Sequence, residues 1–374
     1  MKKKKHSLLV IVILLSICVL IYFLLPHPPC SLSSFDKRAV WFSYGNLEKF
    51  SYESKESFSE DFSQAIDNIK EYKINTIIVQ VRAFSDALYD SKLFPLSKII
   101  THQNTLTFDP LEVMVDIAHE NGMNIEAWVN PYRISLNRES FEQFLNDSPH
   151  HKWLEDANLT IGYATYQYIL NPASQSVRDY IVDGVEEIVE NYDVDGIHFD
   201  DYFYVSGTHE GTSQDERLDY VNMLIQDVYQ SIKAVNKDVV FGISPQGNYE
   251  NCLSDGADID TWLGEEGYID YLMPQLYWSD CYGENQDTMF SDRCRQFAKI
   301  SRQPSVMLYA GLALYRAGVG DENDFGWQES QDNLALQVQI LYEQGYKGFS
   351  LFHYDSIFEE AGQIELNELL KQHP

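Results

Sequence analysis

The chain has 374 residues, 44% of them hydrophobic and 22% charged, enough to bury one large core. Its 57 acidic residues against 27 basic ones give a formal net charge of −30, a field that repels polyanions. Nucleic acid and anionic lipid surfaces are therefore poor partners, whereas a neutral or amino-sugar glycan is not repelled. Aromatic residues make up 14% of the chain, a content that fits either a large core or an aromatic-lined cleft.

Lys2 to Lys5 form a basic tract, and Ser7 to Leu25 then run for 19 residues without a charge. At about 1.5 Å per residue this run spans a bilayer. Basic residues before it place residues 1–6 in the cytoplasm and the remainder outside the cell membrane. The run is longer than the core of a cleaved signal peptide, and Pro26, Pro28 and Pro29 follow it without a small-x-small site. The expected organisation is a short tail at 1–6, a single-pass signal anchor at 7–25, a linker at 26–36 and one soluble domain at 37–374. Cys30, Cys252, Cys281 and Cys294 lie beyond the span; Cys281 pairing with Cys252 or Cys294, and free thiols, all fit the sequence. No C-x-x-C pair occurs, which argues against a thiolate metal site.

Eight apolar, β-rich runs follow in order: Ala39–Tyr44, Thr76–Val81, Asn124–Asn130, Gly196–Asp200, Val239–Ser244, Tyr268–Leu276, Ser305–Leu312 and Gly348–Tyr354. Near-continuous apolar runs are the pattern of parallel strands buried on both faces. Helical periodicity separates them at Phe58–Tyr72, Leu111–Glu120, Val177–Tyr192, Leu218–Val235 and Leu334–Tyr342. Eight alternating strand and helix units predict a single-domain α/β fold, a (β/α)₈ TIM barrel. A doubly wound sheet is the competing topology, but no glycine-rich phosphate turn follows the first strand. Residues 133–170, 203–215 and 313–329 are long insertions behind strand ends, where barrel active sites are built.

Polar and aromatic residues gather at those ends. Asp200 closes the apolar strand Gly196-Ile197-His198-Phe199, and a carboxylate there is costly unless paired or used. His198 and Asp200 share one face of the strand, which points to the barrel axis. Asp201 reads equally as a turn residue or as a second carboxyl group. Gln275, Trp278 and His353 also lie inside or directly behind apolar strands.

The segments VWFSYGN, QVRAFSDALYDSKLFP, EAWVNPYR, ILNPAS, DGIHFDDYFY, FGISPQGN, IDYLMPQLYW and GFSLFHY resemble the successive strand-end motifs of the glycosyl hydrolase-like 10 family. The resemblance covers about residues 37 to 360. It implies a (β/α)₈ barrel and hydrolysis of glycosidic bonds in a polysaccharide or oligosaccharide, with bacterial envelope glycans a reasonable substrate class. The positions it carries over are Arg82, Asp86, Trp128, Asn130, Tyr132, Arg133, His198, Asp200, Asp201, Tyr202, Gln275, Tyr277 and Trp278. Glu126 stands where the family pattern has histidine.

Glycosidases generally use two carboxyl groups, one as acid and one as nucleophile or base. Asp200 is expected as nucleophile or base. Asp201, Asp86, Glu126 and Asp280 compete for the acid, and Asp201 qualifies only if the strand ends between it and Asp200. Tyr132, Tyr277 and Trp278 are expected to stack on sugars, and Arg82 and Arg133 to hold a carboxylate ionised or bind an acidic substituent. A chitinase-like strand-four run is excluded because Tyr202 occupies the position of its final acid. No cofactor is expected. A metal hydrolase using His198 and Asp200, a calcium site at Asp255, Asp258 and Asp260, and a non-catalytic carbohydrate-binding barrel are the other classes considered.

Overall fold

The computed structural model describes residues 30–374. The strands are β1 Lys37–Phe42, β2 Thr76–Arg82, β3 Asn124–Val129, β4 Arg133–Ser135, β5 Thr160–Ala164, β6 Gln167–Leu170, β7 Gly196–Phe199, β8 Val240–Ile243, β9 Tyr271–Leu272, β10 Met307–Leu312 and β11 Gly348–Leu351. Eight of them close a barrel in the order β1-β2-β3-β7-β8-β9-β10-β11, with β11 pairing back onto β1. All its pairings are parallel. Each of the eight apolar runs supplies one barrel strand, and β4, β5 and β6 form a separate antiparallel sheet inside the 133–170 insertion.

Two boundaries have clear causes. The run Tyr268–Leu276 contributes only a two-residue strand, because Pro274 has no N–H to give to a ladder. Isolated bridges from Gln275 to Gln246 and Gly311 carry the sheet past it. Helices begin two to four residues before their apolar pattern where serine caps lie upstream: Ser54 accepts from Ser57 N ahead of Lys55–Lys70, and Ser213 accepts from Glu216 N ahead of Gln214–Val235.

Alternation along the strands sorts side chains into two cores. Ala39, Trp41, Ile78, Trp128, Tyr271, Met273 and Tyr309 fill the lumen, while a much larger apolar layer lies between the sheet and its helices. Glycines make the lumen fit. A Cβ on Gly242 would lie 1.9 Å from the Tyr271 ring, and one on Gly311 would lie 2.8 Å from Trp41. The segment expected as linker is packed from Cys30 onward: Cys30, Leu32 and Phe35 are buried, and the Cys30 carbonyl accepts from His373 Nδ1. Cys30, Cys252, Cys281 and Cys294 are all free thiols. Residues 7–25, the expected anchor, lie outside the described residues, and among those described no helix is long and apolar enough to cross a membrane.

The floor of the barrel carries a buried ion pair. Lys37 on β1 donates to Glu126 on β3, and the other Glu126 oxygen accepts from Tyr271 Oη. Burial pushes the Lys37 ammonium down from its ordinary value, and Glu126 opposes that shift. Removing one partner strands the other charge without water. Glu126→Ala is expected to lower unfolding free energy by about 3–5 kcal/mol, measured by urea denaturation of the full chain. Replacing both as Lys37→Met with Glu126→Leu should cost clearly less, and a loss below about 1 kcal/mol for Glu126→Ala would contradict a structural role.

Candidate active site

A cleft of about 470 Å³ opens at the carboxyl ends of the barrel strands. Asp200 and Asp201 lie in its wall with Trp128, Arg133, Tyr202, Gln275, Tyr277 and His353. Strand β7 ends at Phe199, so the chain turns just before the two acids and both side chains face the cleft. That meets the geometric condition on Asp201.

The two carboxyl groups have unequal surroundings. Asp200 is buried and accepts from Trp128 Nε1 at 3.2 Å, from Asn130 Nδ2, and from the Tyr202 backbone N–H at 3.1 Å. Asn130 is itself held by Gln80 and by Arg133 Nη2, which donates to Asn130 Oδ1 at 2.8 Å. Among the described residues Asp201 accepts a single side-chain bond, from Gln275 Nε2 at 3.1 Å. Burial raises the Asp200 carboxyl, while Arg133 and its three donors pull the other way. Burial and the neighbouring Asp200 raise Asp201 to about 7. Near neutral pH the proton of the pair therefore rests on Asp201, and the charge falls on Asp200, which has more hydrogen-bond donors and Arg133 beside it.

Several expected site residues sit elsewhere. Arg82, which the family resemblance puts in the site, faces away from it: the β2–β3 register shifts between Gln80 and Arg82, so Arg82 pairs with outward-facing Val129. Its guanidinium lies 3.7 Å over the Phe94 ring, behind the barrel wall, with no hydrogen-bond partner among the described residues. Asp86 organises its own turn, accepting from Ala83 N, Phe84 N and Gln143 Nε2. Tyr132 is fully buried outside the cleft. Trp278 packs against Gly247 rather than in the cleft. Asp280 accepts from Ser291. Glu126 is corrected from candidate acid to the floor ion pair, since it faces Gly196 at the opposite end of β7 from Asp200. His198 is on the axis as expected, but fully buried beneath the cleft.

Asp255, Asp258 and Asp260, which lack the loop and terminal Glu of a calcium site and read more readily as a helix-start cluster, make separate bonds. Asp255 pairs with His209 and Gln246, Asp258 caps the helix Ile259–Gly264, and Asp260 accepts from Tyr249. Among the described residues no group of three or more His, Cys, Asp or Glu side chains could hold a metal ion.

The structure adds cleft residues that sequence reasoning missed: Trp41, Ser43, Tyr44, Gly45, Glu48, Gln80, Ser244 and Phe352. Their signal was available for Trp41 and Ser43, which share strand parity with lumen residue Ala39. The inserted sheet also reaches the site, because Tyr163 on β5 bonds the Tyr202 hydroxyl at 2.6 Å. His353 is fixed by Asn46 at 3.0 Å.

A (β/α)₈ barrel with an acid pair in an aromatic-walled cleft at its carboxyl face has the architecture of a glycoside hydrolase. The sequence profile of the glycosyl hydrolase-like 10 family matches residues 36–216 and 207–329, and the chain belongs to that family. It is 28% identical to glycosyl hydrolase YngK of Bacillus subtilis (strain 168), over 84% of this chain and 68% of that protein. It is 27% identical to glycosyl hydrolase DigH of Escherichia coli O6:H1, over 74% of this chain and 70% of that protein. The fold is also that of the glycoside hydrolase domain of PgaB from Bordetella bronchiseptica, with a TM-score of 0.59 at 12% identity, covering 88% of this chain and 98% of that one.

The proton on Asp201 has a thermodynamic signature. The folded chain holds a proton on Asp201 up to about 7, whereas an ordinary aspartate has a value of 3.8. The folded state thus binds more protons across that window, and the contribution to stability is present below it and lost as pH rises through it. Relative to Asp201→Asn, the wild-type melting temperature should fall between about pH 4 and pH 7. Parallel melting curves for the two proteins would refute the raised value.

Proposed function

We propose that this chain hydrolyses glycosidic bonds of an extracytoplasmic polysaccharide, with the glycan strands of peptidoglycan as its substrate class. The observation that carries the proposal is the divided acid pair. Asp201 holds its proton near neutrality and Asp200 is surrounded by donors that favour its ionised form. Environments that push two carboxyl groups apart assign the acid and the base.

In the proposed reaction Asp201 gives its proton to the glycosidic oxygen as the bond to the sugar breaks. The Asp200 carboxylate attacks the anomeric carbon or takes a proton from the attacking water, so that one water is consumed per bond cleaved. Trp41, Tyr202, Tyr277 and Phe352 line the cleft and offer ring faces to the sugars. Arg133 keeps positive charge beside Asp200, and its guanidinium lies 5.1 Å over the Tyr202 ring. The family membership and the curated relatives named as glycosyl hydrolases support this chemistry. The apolar run at 7–25, with its preceding lysines, supports a barrel held on the outer side of the cell membrane.

The test is digestion of purified, amidase-stripped glycan strands by the full chain, read as new reducing ends. Asp201→Asn is expected to lose about 10²–10⁴-fold in rate, with Asp200→Asn at least as damaging. Wild-type activity should fall as pH rises past about 7, because the acid loses its proton there. Wild-type protein that binds the strands without cleaving them would instead identify a non-catalytic carbohydrate-binding barrel.

A further inference from the structure

Beneath the acid pair a column of polar side chains runs down the barrel axis, and its hydrogen bonds have only one consistent direction. At the floor, Tyr271 Oη donates to Glu126 Oε2 at 2.5 Å, and Glu126 is the partner of Lys37. With its proton given to Glu126, Tyr271 can only accept from His198 Nδ1, 2.7 Å away. His198 therefore carries its proton on Nδ1, and Nε2 is a bare lone pair.

A second contact fixes the same tautomer independently. The Trp41 indole N–H points at His198 Nε2 at 3.3 Å, and an indole nitrogen is a donor only. Nε2 must then accept. The remaining neighbour of Nε2 is Ser244 Oγ at 2.9 Å, so this bond is made by the serine proton. Among the described residues the one other acceptor within reach of that hydroxyl is the Phe199 carbonyl at 3.4 Å, which also lies inward. Burial holds His198 neutral, well below its ordinary value, so no second ring proton reverses the direction.

Ser244 follows β8, whose last residue Ile243 pairs with Phe199 next to Asp200, and it lines the cleft. Its backbone N–H bonds the Phe199 carbonyl at 2.8 Å, and Gln275 Nε2 bridges the Ser244 carbonyl at 3.0 Å and Asp201 Oδ1 at 3.1 Å. We propose that Ser244 is a specificity-determining residue of this cleft that acts only as an acceptor. Its proton is committed to His198, so it recognises a hydrogen-bond donor, a hydroxyl or an amide N–H, on the sugar held over the acid pair. His198, Tyr271 and Glu126 are positioning residues that act through it. The proposal rests on the glycosidase reading for its substrate but not for its geometry.

The first experiment needs no activity. The full chain in detergent, labelled with nitrogen-15 histidine, is compared with His198→Gln to assign the His198 ring signals. One ring nitrogen should be protonated and the other bare, with neither titrating between about pH 5 and pH 8. Coupling to the ring carbons should place the proton on Nδ1. A proton on Nε2 would overturn the proposal, because the serine proton would then be free to face the cleft.

The second experiment uses amidase-stripped glycan strands as the probe. Ser244→Ala should lower kcat/KM by about 10–100-fold, mostly through KM, and Ser244→Thr should recover most of it. A loss confined to acetylated strands would identify the amide N–H, and equal losses on N-acetylated and N-deacetylated strands a donor that survives deacetylation, a hydroxyl or the amino-sugar nitrogen; both support the proposal. Ser244→Ala with kcat/KM within about twofold of wild type would overturn it. If the wild type cleaves nothing, the tautomer measurement still decides the geometry, and only the glycosidase reading fails.

Discussion

Two carboxyl groups on consecutive residues, placed where a barrel strand ends, repel each other and lose water, and the architecture of the cleft follows from that cost. Asp200 is made tolerable as an anion by Trp128, Asn130, the Tyr202 N–H and the nearby Arg133. Those groups are in turn held by a further layer: Arg133 Nε donates to the Ala83 carbonyl, and Gln80 steadies Asn130. Asp201 receives no comparable set, so the proton stays there. The asymmetry is built by β2, β3 and the loop behind β3, all of which are placed by closure of the barrel.

The lumen below is the less usual part of the design. A barrel core filled by apolar side chains would leave the cleft floor featureless. Here Lys37, Glu126, Tyr271, His198 and Ser244 form a connected polar column in which each buried group has a partner. Gly242 and Gly311 make room for the Tyr271 and Trp41 rings that flank it. A buried network of this kind is favourable only when it is satisfied throughout, so loss at the floor is felt at the cleft. The fold and the proposed chemistry are coupled through this column.

Much of the barrel was legible because parallel strands buried on both faces leave apolar runs that periodicity detects, and all eight runs became strands. Asp200 was legible for the complementary reason, as a charge ending such a run. Alternation gives the face of a residue but not its height along the barrel axis, which is why Glu126 looked like a candidate acid and proved to be at the floor. Alternation also fails at a bulge, and the register shift before Arg82 turned that side chain out of the cleft. Asp86, Tyr132 and Trp278 belong to loops whose path no local pattern records. Trp41 could have been found from its strand parity with Ala39, whereas Ser244 and Phe352, at the ends of apolar runs, show that they reach the mouth only once the barrel is closed.

Hydrolysis requires that an oxygen atom from water end on the newly formed reducing sugar, whichever carboxyl group attacks first. The most direct measurement is therefore digestion of amidase-stripped glycan strands by the full chain in water enriched in heavy oxygen, with mass spectrometry of the products. The acid pair predicts one heavy oxygen at each new reducing end. New ends that carry no solvent oxygen, as an intramolecular elimination would leave, would contradict it.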